Sequence, residues 1–273
     1  LYGATAGNVL FAPSGGPIQG LNFSSTHEAF YLPPEQPPAF EAAGVVNAAS
    51  AAASVGPGAL ASLFGRRLAP ATQAAFRFPL PAQMHSVSVK ADGVALPLLF
   101  VGPEQINFHL PHELAGGSVN LTVTHGGTES APLRLTFTGT SWPGIFTLGQ
   151  SGQGQGAILI AGTALVAGEV GRAARKGEVV EIYCTGLGRV TGAPAAGQPA
   201  PSSPLVRTIE TASVTIGGAA AEVLFSGLAP GLAGVYQVNA VVPAAAATGP
   251  RAPVVVRMGG GPPSNTATMA IVD

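Results

Sequence analysis

Two stretches decide the fold: VSVKADGVALPLLFVGPEQINFHLP, Val87–Pro111, and ASVTIGGAAAEVLFSGLAPGLAGVYQVNAVVP, Ala212–Pro243. They are two copies of one unit, and a duplication of this kind outranks local propensity as evidence. Asp92-Gly93 matches Gly217-Gly218, and Phe100 matches Phe225. Gln105-Ile106-Asn107 matches Gln237-Val238-Asn239, and a proline follows each at the same offset, Pro111 and Pro243. The second copy is longer by an insertion within Gly227–Gly234. The match extends outward on both sides. Upstream, PGALASLFG resembles KGEVVEIYCTG; downstream, Gly126, Gly127 and Ser130 match Gly259, Gly260 and Ser264.

Each copy reads as hairpins. Asp-Gly and Gly-Gly between apolar runs are two-residue turn signals, since type I′ turns need φ > 0 at both central positions. Ser86–Lys90 is therefore expected to pair with Val94–Val101, and Ser213–Ile216 with Ala219–Phe225. A second hairpin follows: Val119–Thr124 with Pro132–Phe137, and Pro253–Met258 with Thr266–Val272. VNLTVT alternates, with Val119, Leu121 and Val123 on one face and Asn120, Thr122 and Thr124 on the other. That pattern belongs to a sheet with one buried and one wet face. The predicted fold is all-β: two tandem Ig-like β-sandwich domains at 42–140 and 141–273, preceded by an extended N-terminal arm, 1–41. TSWPGIF, Thr140–Phe146, is the junction. Segment 191–204, TGAPAAGQPAPSSP, reads as an exposed proline-rich loop. Helix is expected only over Val46–Ala53, for a turn or two at most.

Composition bounds the function. Of 273 residues, 9% are charged, against roughly 25% in an average soluble protein. Hydrophobic residues make up 47%, with 38 Gly and 25 Pro, which suits many short strands joined by tight turns. The net charge of −1 offers no basic field for nucleic acid or anionic lipid. Lysine occurs only at 90 and 176, and aspartate only at 92 and 273. Association should run through backbone pairing and apolar contact. The single cysteine, Cys184, lies in the apolar run Val179–Cys184 and is expected in a core. No apolar stretch is long enough for a membrane-spanning helix. The chain opens at Leu1 rather than Met, as a processed or excised N-terminus would.

The motifs QINFHLP, EIYCTGLGRV, VTIGGAAAEVLFSGLAPGLAGVYQVNAVVP and SNTATMAIV resemble the uncharacterised C-terminal domain family abundant in exported proteins of Solibacter and other acidobacteria. The resemblance covers about Gly44–Val272. It implies export, β-sandwich modules and placement after other extracellular domains. It supplies no catalytic residues to carry over.

Several residue groups offer chemistry, and each has a plainer reading. Gln105/Asn107 and Gln237/Asn239, at i and i+2 on a strand, share a face. They would make a polar ligand site, but their presence in both copies favours a structural role, satisfying loop backbone. TGLGRVTG, Thr185–Gly192, looks like a dinucleotide loop, yet Pro194, Gly197, Pro199 and Pro201 forbid the helix that loop requires. GQSGQGQG misses nucleophile-elbow spacing, because residue 153 is Gln. Of five histidines (27, 85, 109, 112 and 125), His109 and His112 flank Pro111. A metal would need a third ligand, so a solvated turn is expected there. Arg172, Arg175 and Lys176 read as a solvated basic loop. Trp142 reads as buried at the junction rather than as a sugar platform. The sequence therefore predicts no catalytic residue, no cofactor and no metal.

Residues 1–41 belong to neither copy. They hold two apolar runs, NVLFAP and IQGLNF, and a proline-rich tether, YLPPEQPPAF. Short β-prone runs outside both sandwiches need a sheet edge. Val9, Leu10, Phe11, Ile18, Leu21 and Phe23 are the candidate donor strand, to be inserted into a neighbouring subunit. A head-to-tail contact of this kind yields a filament. The expectation is a secreted, cell-surface structural or assembly protein. Its partner would be a second copy of itself or another surface protein. The alternatives are a polysaccharide-binding or adhesion module, or the stalk of a larger exported protein.

Overall fold

The computed structural model describes residues 36–114, 117–137 and 141–273. Among them there is no helix. Pro37–Asp273 form one compact unit with two hydrophobic cores.

Around the first core, Ala39–Asn47, Leu60–Arg66, Gln105–His109, Leu98–Val101 and Gln73–Ala74 form one sheet in that order. Leu133–Phe137, Gly117–His125, Val87–Ala91 and Val94–Ala95 form the facing sheet. Around the second core, Gly144–Ile145 and Ile158–Ile160 pair with Val179–Thr185, followed by Tyr236–Val241 and Val223–Leu228. Ala267–Val272, Gly249–Met258, Ala212–Ile216 and Ala219–Ala221 face them. The protein is thus a pair of Ig-like β-sandwiches.

The two copies agree residue by residue. Leu63 pairs with Ile106 as Ile182 pairs with Val238, and Val89 with Val123 as Val214 with Val256. Both carry a register shift at one place, between Leu98 and Phe100 and between Val223 and Phe225. Ser130 Oγ accepts the Val123 N–H at 3.0 Å, and Ser264 Oγ accepts the Val256 N–H at 3.0 Å. The turn reading holds, with positive φ at Asp92 (47°), Gly93 (83°), Gly217 (58°) and Gly218 (82°). Val119, Leu121 and Val123 are buried while Asn120 is exposed, as the alternation requires. Cys184 is buried, and desolvation pushes its thiol pKa up.

Two local expectations are corrected. Val94–Val101 is not one strand: Val94–Ala95 stays with Lys90–Ala91, and Leu98–Val101 crosses to the facing sheet. Pro97 stands at the crossing, where its missing N–H cannot continue a ladder. Ala219–Ala221 and Val223–Leu228 divide in the same way around Glu222. Val46–Ala53 is no helix either. Val46 and Asn47 end a strand, and Asn47 Oδ1 then accepts the N–H groups of Ala49 and Ser50. The single turn that results stops at Ala51, with φ 58°.

Candidate functional site

Every candidate donor residue, Val9, Leu10, Phe11, Ile18, Leu21 and Phe23, lies outside the described residues. The described strand Ala39–Asn47 takes up the last three positions of the predicted arm.

The signature amides are brought together in pairs. Gln105 Nε2 donates to Asn107 Oδ1 at 2.8 Å, and Gln237 Nε2 donates to Asn239 Oδ1 at 2.8 Å. They bond to each other along the strand, where i and i+2 side chains share a face, and no bond from them to loop backbone is seen among the described residues. Each pair lies between aromatic residues. Phe64 is opposite Gln105 and Phe100 opposite Asn107; Tyr183 is opposite Gln237 and Phe225 opposite Asn239.

His109 and His112 do not form a solvated turn. They are 1% and 7% exposed, in a polar seam between the two sandwiches. His109 Nδ1 accepts the Gly197 N–H at 3.0 Å, and the Leu80 N–H donates to the Gly197 carbonyl at 2.9 Å. The proline-rich loop thus docks on the first sandwich instead of standing free. His112 faces Tyr236, whose hydroxyl donates to the Gly188 carbonyl in the glycine-rich loop. Thr185 Oγ1 accepts the Leu60 N–H at 2.9 Å and donates to the Gly234 carbonyl at 2.8 Å. Asn47 Nδ2 donates to the Trp142 carbonyl, and the Trp142 N–H to the Gly186 carbonyl. Sequence reasoning missed this seam. One signal marked it: His109 and His112 align with Val241 and Ala244, so the copies diverge where the first must meet the second.

Burial holds both imidazoles neutral. Desolvation first, then the neighbouring His112, lowers the His109 pKa to about 4; the Gly58 backbone opposes this without reaching hydrogen-bond geometry. The His112 pKa is also lowered by desolvation, against the attraction of Glu113. No cluster of three His, Cys, Asp or Glu able to hold a metal gathers among the described residues. The basic loop is paired rather than simply solvated: Arg172 makes a two-pronged contact with Glu178 at 2.8 Å, and Lys176 meets Asp273 at 2.6 Å. A cleft of about 140 Å³ near Ser141, Arg189 and Glu210 is well below the roughly 300 Å³ that small-molecule pockets start from.

The sheet edges differ between the copies. In the second sandwich, Gly154–Gln155 and Ala174–Arg175 run parallel along the outer edge of Ala267–Val272. Leu133–Phe137 is the corresponding strand of the first sandwich. It pairs with Gly117–Leu121, and among the described residues nothing pairs with its outer edge.

These features define a tandem Ig-like β-sandwich protein. No protein-family model matches the chain, and no curated protein matches it. Among solved structures it is similar to the I9–I11 tandem from titin, at 13% identity and a TM-score of 0.21, covering 80% of this chain and 62% of that one. It is similar to domains 5–6 of the S-layer protein SbsC, at 13% identity and a TM-score of 0.28, covering 86% and 99%. It is also similar to SGBP-B of the Bacteroides ovatus mixed-linkage glucan utilization locus, solved with a mixed-linkage heptasaccharide, at 12% identity and a TM-score of 0.30. That match covers 80% of this chain and 44% of the other, so the chain spans less than two thirds of both that protein and the titin tandem. These likenesses concern the fold alone.

Proposed function

We propose that the chain is an extracellular structural and assembly protein, a subunit of a cell-surface filament. The filament grows as the N-terminal arm of one copy adds as a strand to the next. The observation that carries this reading is the seam. The sandwiches meet through buried side-chain to backbone hydrogen bonds at Asn47, His109 and Thr185 rather than through a bare linker. Hydrogen bonds between the sandwiches oppose their relative motion, which suits a filament subunit. The low charge and the resemblance to exported acidobacterial modules support an exterior location. The role needs no catalytic step.

The test is removal of residues 1–36, which stops short of the strand Ala39–Asn47, followed by electron microscopy of the purified protein. Full-length chain should form filaments and the shortened chain should remain as single subunits. Long assemblies of the shortened chain would refute strand donation.

One observation favours a second reading, a polysaccharide-binding or adhesion module. Phe64 is 44% exposed and lies across from Gln105, giving an aromatic ring beside an amide on the outer sheet face. Saturable binding on a glycan array, lost in Phe64→Ala, would favour that reading over the first.

A further inference from the structure

We propose that the seam is an acid-operated hinge: protonation of His109 and His112 parts the two sandwiches while each keeps its own core.

The two cores are independent of each other. The buried members of one fall within Val45–Phe137, and those of the other within Ile145–Ile271. Side chains buried between the sandwiches belong to neither. Leu60 and Leu80 are 4% and 9% exposed and lie outside both clusters. What they meet on the second sandwich is glycine: Leu60 stands against Gly234, and Leu80 against Gly197. A glycine has no side chain to bury, so these contacts remove little apolar area from water. Hydrogen bonds therefore decide whether the seam stays shut. Gly197 donates to His109 Nδ1 and accepts from the Leu80 N–H. Leu60 donates to Thr185 Oγ1, and Asn47 Nδ2 donates to the Trp142 carbonyl.

His109 is the weak point of this set. Its Nδ1 accepts, so in the neutral ring the proton sits on Nε2, which is buried without a partner among the described residues. His112 packs edge-on against it with ring centroids 5.5 Å apart, and the His112 Nε2 is also buried and unpartnered among those residues. A proton added to His109 Nδ1 sets a second donor against the Gly197 N–H. A proton on each ring places two like charges side by side, out of water. Little around the rings offsets this. Tyr236, which faces His112 from the second sandwich, is held neutral by burial, as is Cys184 beside it. The Gly197 loop brings no charged residue over Thr191–Ala200, nor does Gly56–Leu60 or Phe78–Pro81. Arg189, exposed next to Gly188, is positive and opposes a second cation. The carboxylate that acts on the pair is Glu113, exposed on the histidines' own segment.

Parting the sandwiches returns both rings to water. The closed seam is favoured above about pH 6.5 and loses favour as the pH falls toward 4, the value that burial imposes on His109. Between about pH 7.5 and about pH 5, this ring alone lowers the ratio of closed to open seam by about 30-fold. His112 is shifted the same way and adds to the effect.

The experiment is amide hydrogen exchange on the full chain at those two pH values, with the intrinsic rate at each divided out. The seam reporters are the amides of Gly197, Leu60 and Leu80. The core reporters are Val123 and Val256, one in each sandwich, held by Ser130 and Ser264. Seam protection should fall by on the order of ten-fold or more at the lower pH, while core protection holds within about two-fold. Emission from Trp142, the sole tryptophan, should shift to the red over the same range. The unaltered chain suffices to decide the matter. Equal loss at Val123 and Val256 would mean global unfolding and overturn the hinge. Unchanged seam protection would overturn its acid sensitivity. His109→Gln keeps an acceptor for Gly197 and should hold the seam shut at the lower pH. A loss as large as in the unaltered chain would overturn His109 as the trigger.

Discussion

His109 on the first sandwich accepts a hydrogen bond through Nδ1 from the Gly197 N–H on the second, at 3.0 Å. That bond exists only while Nδ1 is unprotonated, because a proton there would set a donor against a donor. The seam is therefore linked to pH.

The sign of the linkage follows from the His109 pKa, which falls from 6.5 to about 4 on folding. Between those values the unfolded chain binds the proton and the folded chain does not. Stability is intact above about pH 6.5 and declines as the pH falls toward 4, by up to about 3 kcal/mol for this one ring. His112 is shifted in the same direction. The urea midpoint should hold steady from about pH 8 to pH 7 and then drop through this window. His109→Gln keeps an acceptor for Gly197 and should flatten the drop. Glu178 titrates in a different range: its pKa is lowered from 4.5 to about 2 by Arg172, so its contribution is lost only below that of His109. An unchanged pH profile in His109→Gln would remove the seam as the cause.

Gly197 itself is a second test of the docked loop. Its φ is +81°, and an added Cβ would stand 2.7 Å from the Pro97 Cβ. Gly197→Ala should destabilise the protein by roughly 1–3 kcal/mol, combining backbone strain with the clash. The loop should lift from the first sandwich. Hydrogen exchange at the Leu80 amide, which donates to the Gly197 carbonyl, should then accelerate far more than at core amides such as Val123.

Thr185 joins both sandwiches through one hydroxyl and is fully buried. Thr185→Val keeps the shape and removes the hydroxyl, stranding the Leu60 N–H and the Gly234 carbonyl. The cost should be about 1–3 kcal/mol by chemical denaturation. Thr185→Ser retains the donor and acceptor and should cost less. Equal losses in the two variants would assign the effect to the methyl group instead.

The sandwiches were legible because their signals are local. Asp92-Gly93 and Gly217-Gly218 need φ > 0, and Val119–Val123 alternate, whatever surrounds them. The seam was not, because it is made by residues far apart. His109 falls in the same outward period as Gln105 and Asn107, so the pattern along its own strand marks it as wet. Its cover, Gly197, arrives 88 residues later in a loop whose prolines read as exposed spacer. The sheet crossing at Pro97 was missed for another reason: LPLLF is apolar throughout, and a continuous apolar run does not show which of two facing sheets it joins.

The paired amides permit a test that separates structure from binding. In each copy Gln donates to Asn at 2.8 Å between half-buried side chains on a single strand. A net hydrogen bond of this kind is worth about 0.5–1.5 kcal/mol. Double-mutant cycles with Gln105→Ala and Asn107→Ala, and with Gln237→Ala and Asn239→Ala, should each give a coupling in that range. The two values should agree, since the aromatic neighbours occupy matching positions: Phe64 and Phe100 in one copy, Tyr183 and Phe225 in the other. The environments differ in one respect, because Arg207 stacks over Phe225 with its guanidinium 5.1 Å from the ring centroid. Both pairs are half-buried, so this contact is the difference to which an inequality between the two couplings should be traced. A coupling near zero in both copies, alongside lost glycan binding in the single variants, would mean that the amides serve a ligand and not the strand.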